Sequence, residues 1–155
     1  MEKQPTEHDV MFQLHYSYYL EVMTEILNRR VDTAINAVIL TLGAAVFANS
    51  SYGRLFGGIV AVLTGFRIAC KFSQKAANAK AQTLRYSRLI DDAHGLTPSD
   101  ISHRLSTLEE FDSDTLSSLL NPARQRAIIK MGLPNSESLS LFEKLMAFLA
   151  GGIPK

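Results

Sequence analysis

A chain of 155 residues with a 46% hydrophobic fraction has room for one small domain and little more. Its net charge of +1 neither points to nucleic acid nor excludes it. The single cysteine, Cys70, rules out an intrachain disulfide and fits a cytoplasm-facing protein. The apolar residues are not spread evenly but concentrate in the middle of the chain.

The start, MEKQPTEHDV, is polar and lacks an apolar h-region, so no signal peptide is expected. Thr6 reads as an N-cap with Asp9 three residues on. A helix is predicted from about residue 7 to residue 28, and whether it continues into the next segment is open. Phe12, Tyr16, Tyr19, Leu20, Met23, Ile26 and Leu27 share one face of it. Its polar face holds Glu7, Glu21 and Glu25, which anionic lipid would repel. Residues 1–30 therefore form an N-terminal amphipathic helix expected to pack on another helix.

Residues 31–72 read VDTAINAVILTLGAAVFANSSYGRLFGGIVAVLTGFRIACKF. Two charge-free runs, 33–48 and 55–66, flank a polar turn at 49–54, and Ile68–Cys70 extends the second past a single Arg67. A membrane span needs about 17–25 mostly apolar residues, and each run only just reaches that length. The expectation is a two-span transmembrane hairpin; the competing reading is a buried hairpin inside a soluble domain. Arg29 and Arg30 precede the first run, and Lys71, Lys75, Lys80, Arg85 and Arg88 follow the second, whereas the turn has Arg54. Basic flanks stay inside, so a multi-pass protein of the cell inner membrane is expected, with both termini cytoplasmic.

A hairpin turning near residue 51 would bring Asp32, Asn36 and Arg67 to similar depth at its inner end. Either Arg67 snorkels to the headgroups, or the three form a polar cluster at the mouth of an oligomeric bundle. Thr33, Ala37, Thr41 and Ala45 recur every four positions, as do Gly53 with Gly57 and Ala61 with Gly65. Such small-residue ridges let membrane helices approach closely, so a homo-oligomer is expected, a tetramer among the options.

Residues 73–95 lack Pro and Gly until Gly95, which reads as a terminator. One continuous helix of about 60 Å is predicted from residue 55 to residue 94, half in lipid and half cytosolic. Its juxtamembrane cations serve topology and anionic-lipid attraction, or form a collar for a polyanionic ligand.

Residues 96–155 form a small helical cytosolic domain. Thr97, Pro98 and Asp100 compose a capping box for a helix with Ile101, Leu105 and Leu108 inward. The acids Glu109, Glu110, Asp112 and Asp114 end it, and another helix is predicted from about Ser113 with Leu116, Leu119 and Leu120 on its apolar face. Asn121-Pro122 is expected to break that helix and cap a third, which ends at Gly132. After a linker at 133–135, a last amphipathic helix is predicted over 137–150, stopped by Gly151-Gly152. Leu141, Phe142, Leu145, Met146, Phe148 and Leu149 are its apolar residues. The fold class is all-α.

Sites for chemistry are sparse. His8, His15, His94 and His103 show no metal-ligand spacing, and no P-loop, GxSxG or nucleophile–base pair occurs. No catalytic residue, cofactor or metal is expected, nor duplex nucleic acid as a partner. One constellation suits an anion: Arg124 and Arg126 in the first turns of a helix, Lys130 one turn on, and His103 and Arg104 from the preceding helix. The competing reading is a solvated basic face, or salt bridges to the acids at 109–114.

The N-terminal helix ending in Asn28-Arg29-Arg30, the Gly- and Ala-rich runs GAAVFANS and GGIVAVLTG, and the polar helix KAANAKAQTLRYSRLIDDA together resemble the SLATT group of prokaryotic two-transmembrane effector domains. In layout the chain is also similar to small CRISPR-associated membrane effectors that sense cyclic oligoadenylate. The resemblance covers about residues 7–93. It implies a membrane-disrupting effector of antiphage defence, switched on when a cyclic oligonucleotide orders the cytosolic helices. The alternative is a phage- or prophage-encoded exclusion protein, or a structural membrane adaptor, working through protein contacts.

Overall fold

The computed structural model describes residues 6–47, 52–134 and 138–154. Residues 49–51 of the turn expected at 49–54, part of the linker at 133–135 and the expected helix start at 137 lie outside the described residues. Those described are helical or irregular, with no strand among them.

Helix α1, Glu7–Phe47, is one unbroken helix of 41 residues, about 60 Å long. Thr6 starts it: its Oγ1 accepts from the Asp9 amide at 3.2 Å and donates to the Asp9 carboxylate at 2.6 Å. No Gly or Pro interrupts residues 28–33, so the amphipathic segment runs straight into the apolar one. The two halves differ in what they bury. Val10, Leu14, Leu20, Met23 and Leu27 are buried, whereas residues 31–46 contain none that is.

Helix α2, Gly53–Cys70, buries nothing either. Two contacts set it beside the second half of α1. Arg67 Nε donates to Asp32 Oδ1 at 2.9 Å, and a methyl group at Gly53 would sit 3.8 Å from the Val46 carbonyl oxygen. Among the described residues one helical stretch, Gly53–Gly95, is long and apolar enough to cross a membrane, and its apolar window is wholly unburied. The sequence leads one to expect two such spans. The apolar end of α1 does not meet that measure within its described residues.

The expected continuous helix from 55 to 94 is instead two helices. Lys71 adopts a left-handed conformation, φ 50° and ψ 40°, between α2 and α3, Phe72–Asp92. Backbone bonds bridge the joint, Lys71 N–H to Arg67 O at 3.1 Å and Lys75 N–H to Lys71 O at 3.0 Å. The two helices therefore stay linked at the joint by these two bonds. A left-handed residue with a Cβ costs about 1–2 kcal/mol, and Lys71 has no glycine's exemption.

Helix α3 buries Ala76, Ala79, Gln82, Tyr86 and Leu89, a stripe at helical spacing. Its alanines allow close approach to α1. Farther along, Tyr86 and Leu89 join Val10 and Leu14 of α1 and Ile101 and Leu105 of α4 in one core cluster. A 3-10 turn at Ala93–Gly95 closes α3, with Gly95 outside the left-handed region. Helix α4, Pro98–Glu109, carries the expected Thr97–Asp100 capping box.

No helix begins at Ser113. Residues 112–116 are irregular, because tertiary bonds claim their polar groups: Ser113 N–H donates to Glu21 Oε1 at 2.7 Å, and Asp112 binds α3 side chains. A 3-10 turn, Ser117–Leu119, then leads into α5, Leu120–Lys130. Asn121-Pro122 does not break the chain. Pro122 lies in the first turn of α5, where its missing N–H has no helical partner to lose.

Gly132, at φ +66°, ends α5. Its N–H bonds Ile129 O at 3.1 Å, and the Leu133 N–H reaches Ile128 O at 3.0 Å. Helix α6, Leu141–Leu149, starts at a Ser140–Glu143 capping box and ends the same way at Gly151 and Gly152. Leu20, Met23 and Leu27 of α1 meet Leu119, Ala123, Ala147 and Ala150 in a second cluster.

Candidate anion-binding cleft

Three arginines and a histidine converge where α3 and α4 meet. Arg85, Arg88, Leu89 and Asp92 recur on one face of α3, and His103, Arg104, Thr107 and Leu108 face them from α4, around a cleft of about 360 Å³. Leu89 and Leu108 belong to the core cluster beneath, so the floor is apolar while the exposed rim is basic. Asp92 is the acid on the rim. Fork-shaped guanidinium groups over an apolar floor suit a ligand that combines phosphate with a flat ring. The volume lies at the low end of small-molecule sites, about 300–1,000 Å³.

The rim is held by a buried polar relay. Arg85 donates from Nη1 to Gln82 Oε1 at 3.3 Å, and its guanidinium lies 5.7 Å from the centre of the Phe111 ring. Buried Gln82 donates from Nε2 to Leu108 O at 2.6 Å and to Asp112 Oδ1 at 2.9 Å. Tyr86, fully buried, donates to the same Oδ1 at 2.5 Å. Burial pushes the Asp112 carboxyl up, against the pull of those two hydrogen bonds. Burial and the neighbouring Asp112 push the Tyr86 phenol far above its ordinary range. The end of α4 is thereby pinned to α3, and Arg85 with it.

The residues singled out in the sequence fall in two places. His103 and Arg104 line the cleft with Arg85 and Arg88. Arg124, Arg126 and Lys130 lie on α5, which packs along α1. Arg126 has a structural contact there: Nη2 donates to Gly152 O at 2.7 Å, and burial lowers its pKa. The charge of Lys130 reaches His15, whose pKa is lowered first by burial and then by that cation. Arg124 lies close enough to Tyr16 to oppose the rise that burial gives its phenol.

Asp32, Asn36 and Arg67 meet within one chain. Asp32 accepts from Arg67 Nε at 2.9 Å on one oxygen and from Asn36 Nδ2 at 3.2 Å on the other. The Arg67 side chain is 42% exposed and that of Asp32 16%. Beside them a second cleft of about 530 Å³ opens at the Lys71 bend. Among the described residues no group of three or more His, Cys, Asp and Glu could hold a metal ion.

Arg85 and Arg88 stand in the sequence as part of a cationic run, and their i, i+3 spacing puts them on one helix face. Nothing local pairs them with α4, which begins at Pro98; the turn through Gly95 does that. Compared with known proteins, the chain matches no family model, no curated protein and no solved structure.

Proposed function

We propose that this chain is a membrane effector of prokaryotic antiphage defence, activated when a cyclic oligonucleotide binds its cytosolic helices. One observation carries the reading: the basic-rimmed cleft sits on α3, and α3 is joined through a single bent residue to the unburied apolar helix α2. Ligand and membrane segments thus share one helical arm. In this reading α2 and the apolar half of α1 form a two-span hairpin, both termini are cytoplasmic, and several copies assemble, a tetramer fitting a ring of several nucleotides.

Each cleft takes one nucleotide unit, so a cyclic oligonucleotide bridges chains. A ligand that favours the assembled state shifts the population toward it, and the arms carry the change to the spans, disturbing the bilayer. The SLATT-like layout of residues 7–93 points the same way.

Dye-loaded liposomes containing the protein should leak on addition of cyclic oligoadenylate and stay tight without it. Equal leakage in both conditions rejects the proposal. The pair Arg88→Ala with Arg104→Ala should weaken nucleotide binding by about tenfold or more, since each charged hydrogen bond is worth about 1.5–3 kcal/mol. Unchanged affinity in that variant rejects the cleft as the site.

A further inference from the structure

Helix α6 carries its apolar side outward. Leu141 is 85% exposed, Phe142 62%, Leu145 54% and Phe148 62%. The side turned to the protein is Met146, Ala147 and Ala150. So little apolar area would not fix the helix this way round by itself, and polar bonds supply the rest. Arg30 Nη1 donates to Phe148 O at 3.0 Å and Leu149 O at 2.9 Å. Arg126 Nη2 holds Gly152 O just beyond, and Asn121 Nδ2 donates to Glu143 Oε1 at 2.6 Å near the start. Three side chains from α1 and α5 clamp α6 by its carbonyls and polar face.

The place of the clamp identifies what covers the outward face. Arg30 is three residues before the charge-free run of α1 that begins at residue 33, and Val38 and Leu40 of that run are themselves exposed. Leu116 and Leu120, flanking the buried Leu119, extend the exposed apolar surface beside α6. Through Arg30 the end of α6 is thus fixed within one helical turn of the run read above as membrane-spanning. A second copy is a poorer fit. A nine-residue helix is about 14 Å long and 10–12 Å wide, a footprint far below the roughly 800 Å² a side of a stable dimer.

We infer that α6 lies in the plane of the membrane, its Leu141, Phe142, Leu145 and Phe148 face inserted at the boundary between phospholipid headgroups and acyl chains. This rests on the reading of α2 as a membrane span. Glu143 and Lys144 balance in charge, so apolar area rather than lipid charge drives the insertion.

The test uses the full-length protein in phosphatidylcholine–phosphatidylglycerol vesicles, in a Cys70→Ser background. A nitrobenzoxadiazole label is placed singly by Leu145→Cys, by Ile59→Cys in α2, or by Ser99→Cys on exposed α4. Lipids carrying a nitroxide high or low on the acyl chain then quench it. The label at 145 should be blue-shifted and quenched most by the shallow nitroxide, that at 59 by the deep one, and that at 99 by neither. Deep quenching at 59 with none at 145 overturns the placement of α6 and leaves the span standing. A blue-shifted but unquenched label at 145 also overturns it, and points to a second copy. No quenching at 59 removes the span and the α6 placement together.

Discussion

Arg67 and Asp32, 35 residues apart in the chain, are joined at 2.9 Å, and that pair ties α2 to α1 where both leave the packed helical bundle. Asn36 occupies the second carboxylate oxygen, so Asp32 is held from both sides. The exposure of the Arg67 side chain limits the worth of the pair. A double-mutant cycle with Asp32→Ala and Arg67→Ala, read by unfolding in detergent, should give a coupling of about 1 kcal/mol, the upper end for exposed pairs. A coupling of zero means that the helices are held by apolar contact alone.

Glu21 is 1% exposed; Oε1 accepts from Ser113 N–H, and Oε2 has no partner. Burial raises its pKa, the Ser113 bonds opposing. The native state therefore binds the proton more tightly than the unfolded chain. Its favourable contribution is complete below the ordinary Glu pKa and is lost as pH rises through the raised value. Glu21→Gln keeps the acceptor for Ser113 N–H and removes the buried charge. At neutral pH it should stabilise the protein, because the buried charge is gone. Thermal unfolding at a series of pH values should show the gain shrinking toward pH 4.

Tyr86→Phe removes the hydroxyl that donates to Asp112 and leaves that carboxylate with Gln82. A hydrogen bond to a charged group is worth about 1.5–3 kcal/mol, and a loss in that range is expected. Hydrogen exchange should accelerate around residues 109–116, and binding at the cleft should weaken because Arg85 loses its support. Unchanged exchange there would mean that the relay does not hold the segment.

Lys71→Gly separates a bent arm from a straight one by the sign of its effect. At a left-handed residue glycine relieves about 1 kcal/mol, so the variant should melt higher. In an unbent helix the same change would cost about 1 kcal/mol and lower the melting temperature.

What the sequence made legible is what local chemistry decides. Thr6 with Asp9, Thr97 with Asp100, and Gly132 mark helix ends through bonds spanning a few residues, and they stand in the structure as expected. Lys71 carried no such mark, since neither it nor its neighbours are residue types that favour a left-handed turn. Ser113 looked like a helix start, but Glu21 from the far end of the chain takes its N–H. The cleft was half legible: His103 and Arg104 were singled out as anion ligands, and Arg85 and Arg88 as part of a cationic run. Their meeting depends on α4 folding back over α3. The contact of Arg126 was not legible for the same reason, since its guanidinium donates to Gly152 O, 26 residues on.

The left-handed residue at Lys71 also decides what sort of movement the arm can pass on. A push along α3 cannot travel through the bend as a piston stroke; it becomes a swing of α2 about that corner. Meanwhile α1, unbroken over its whole length beside it, acts as a fixed rail. Closing the cleft would then tilt the apolar helix sideways against that rail, opening a seam between them without lifting either out of register.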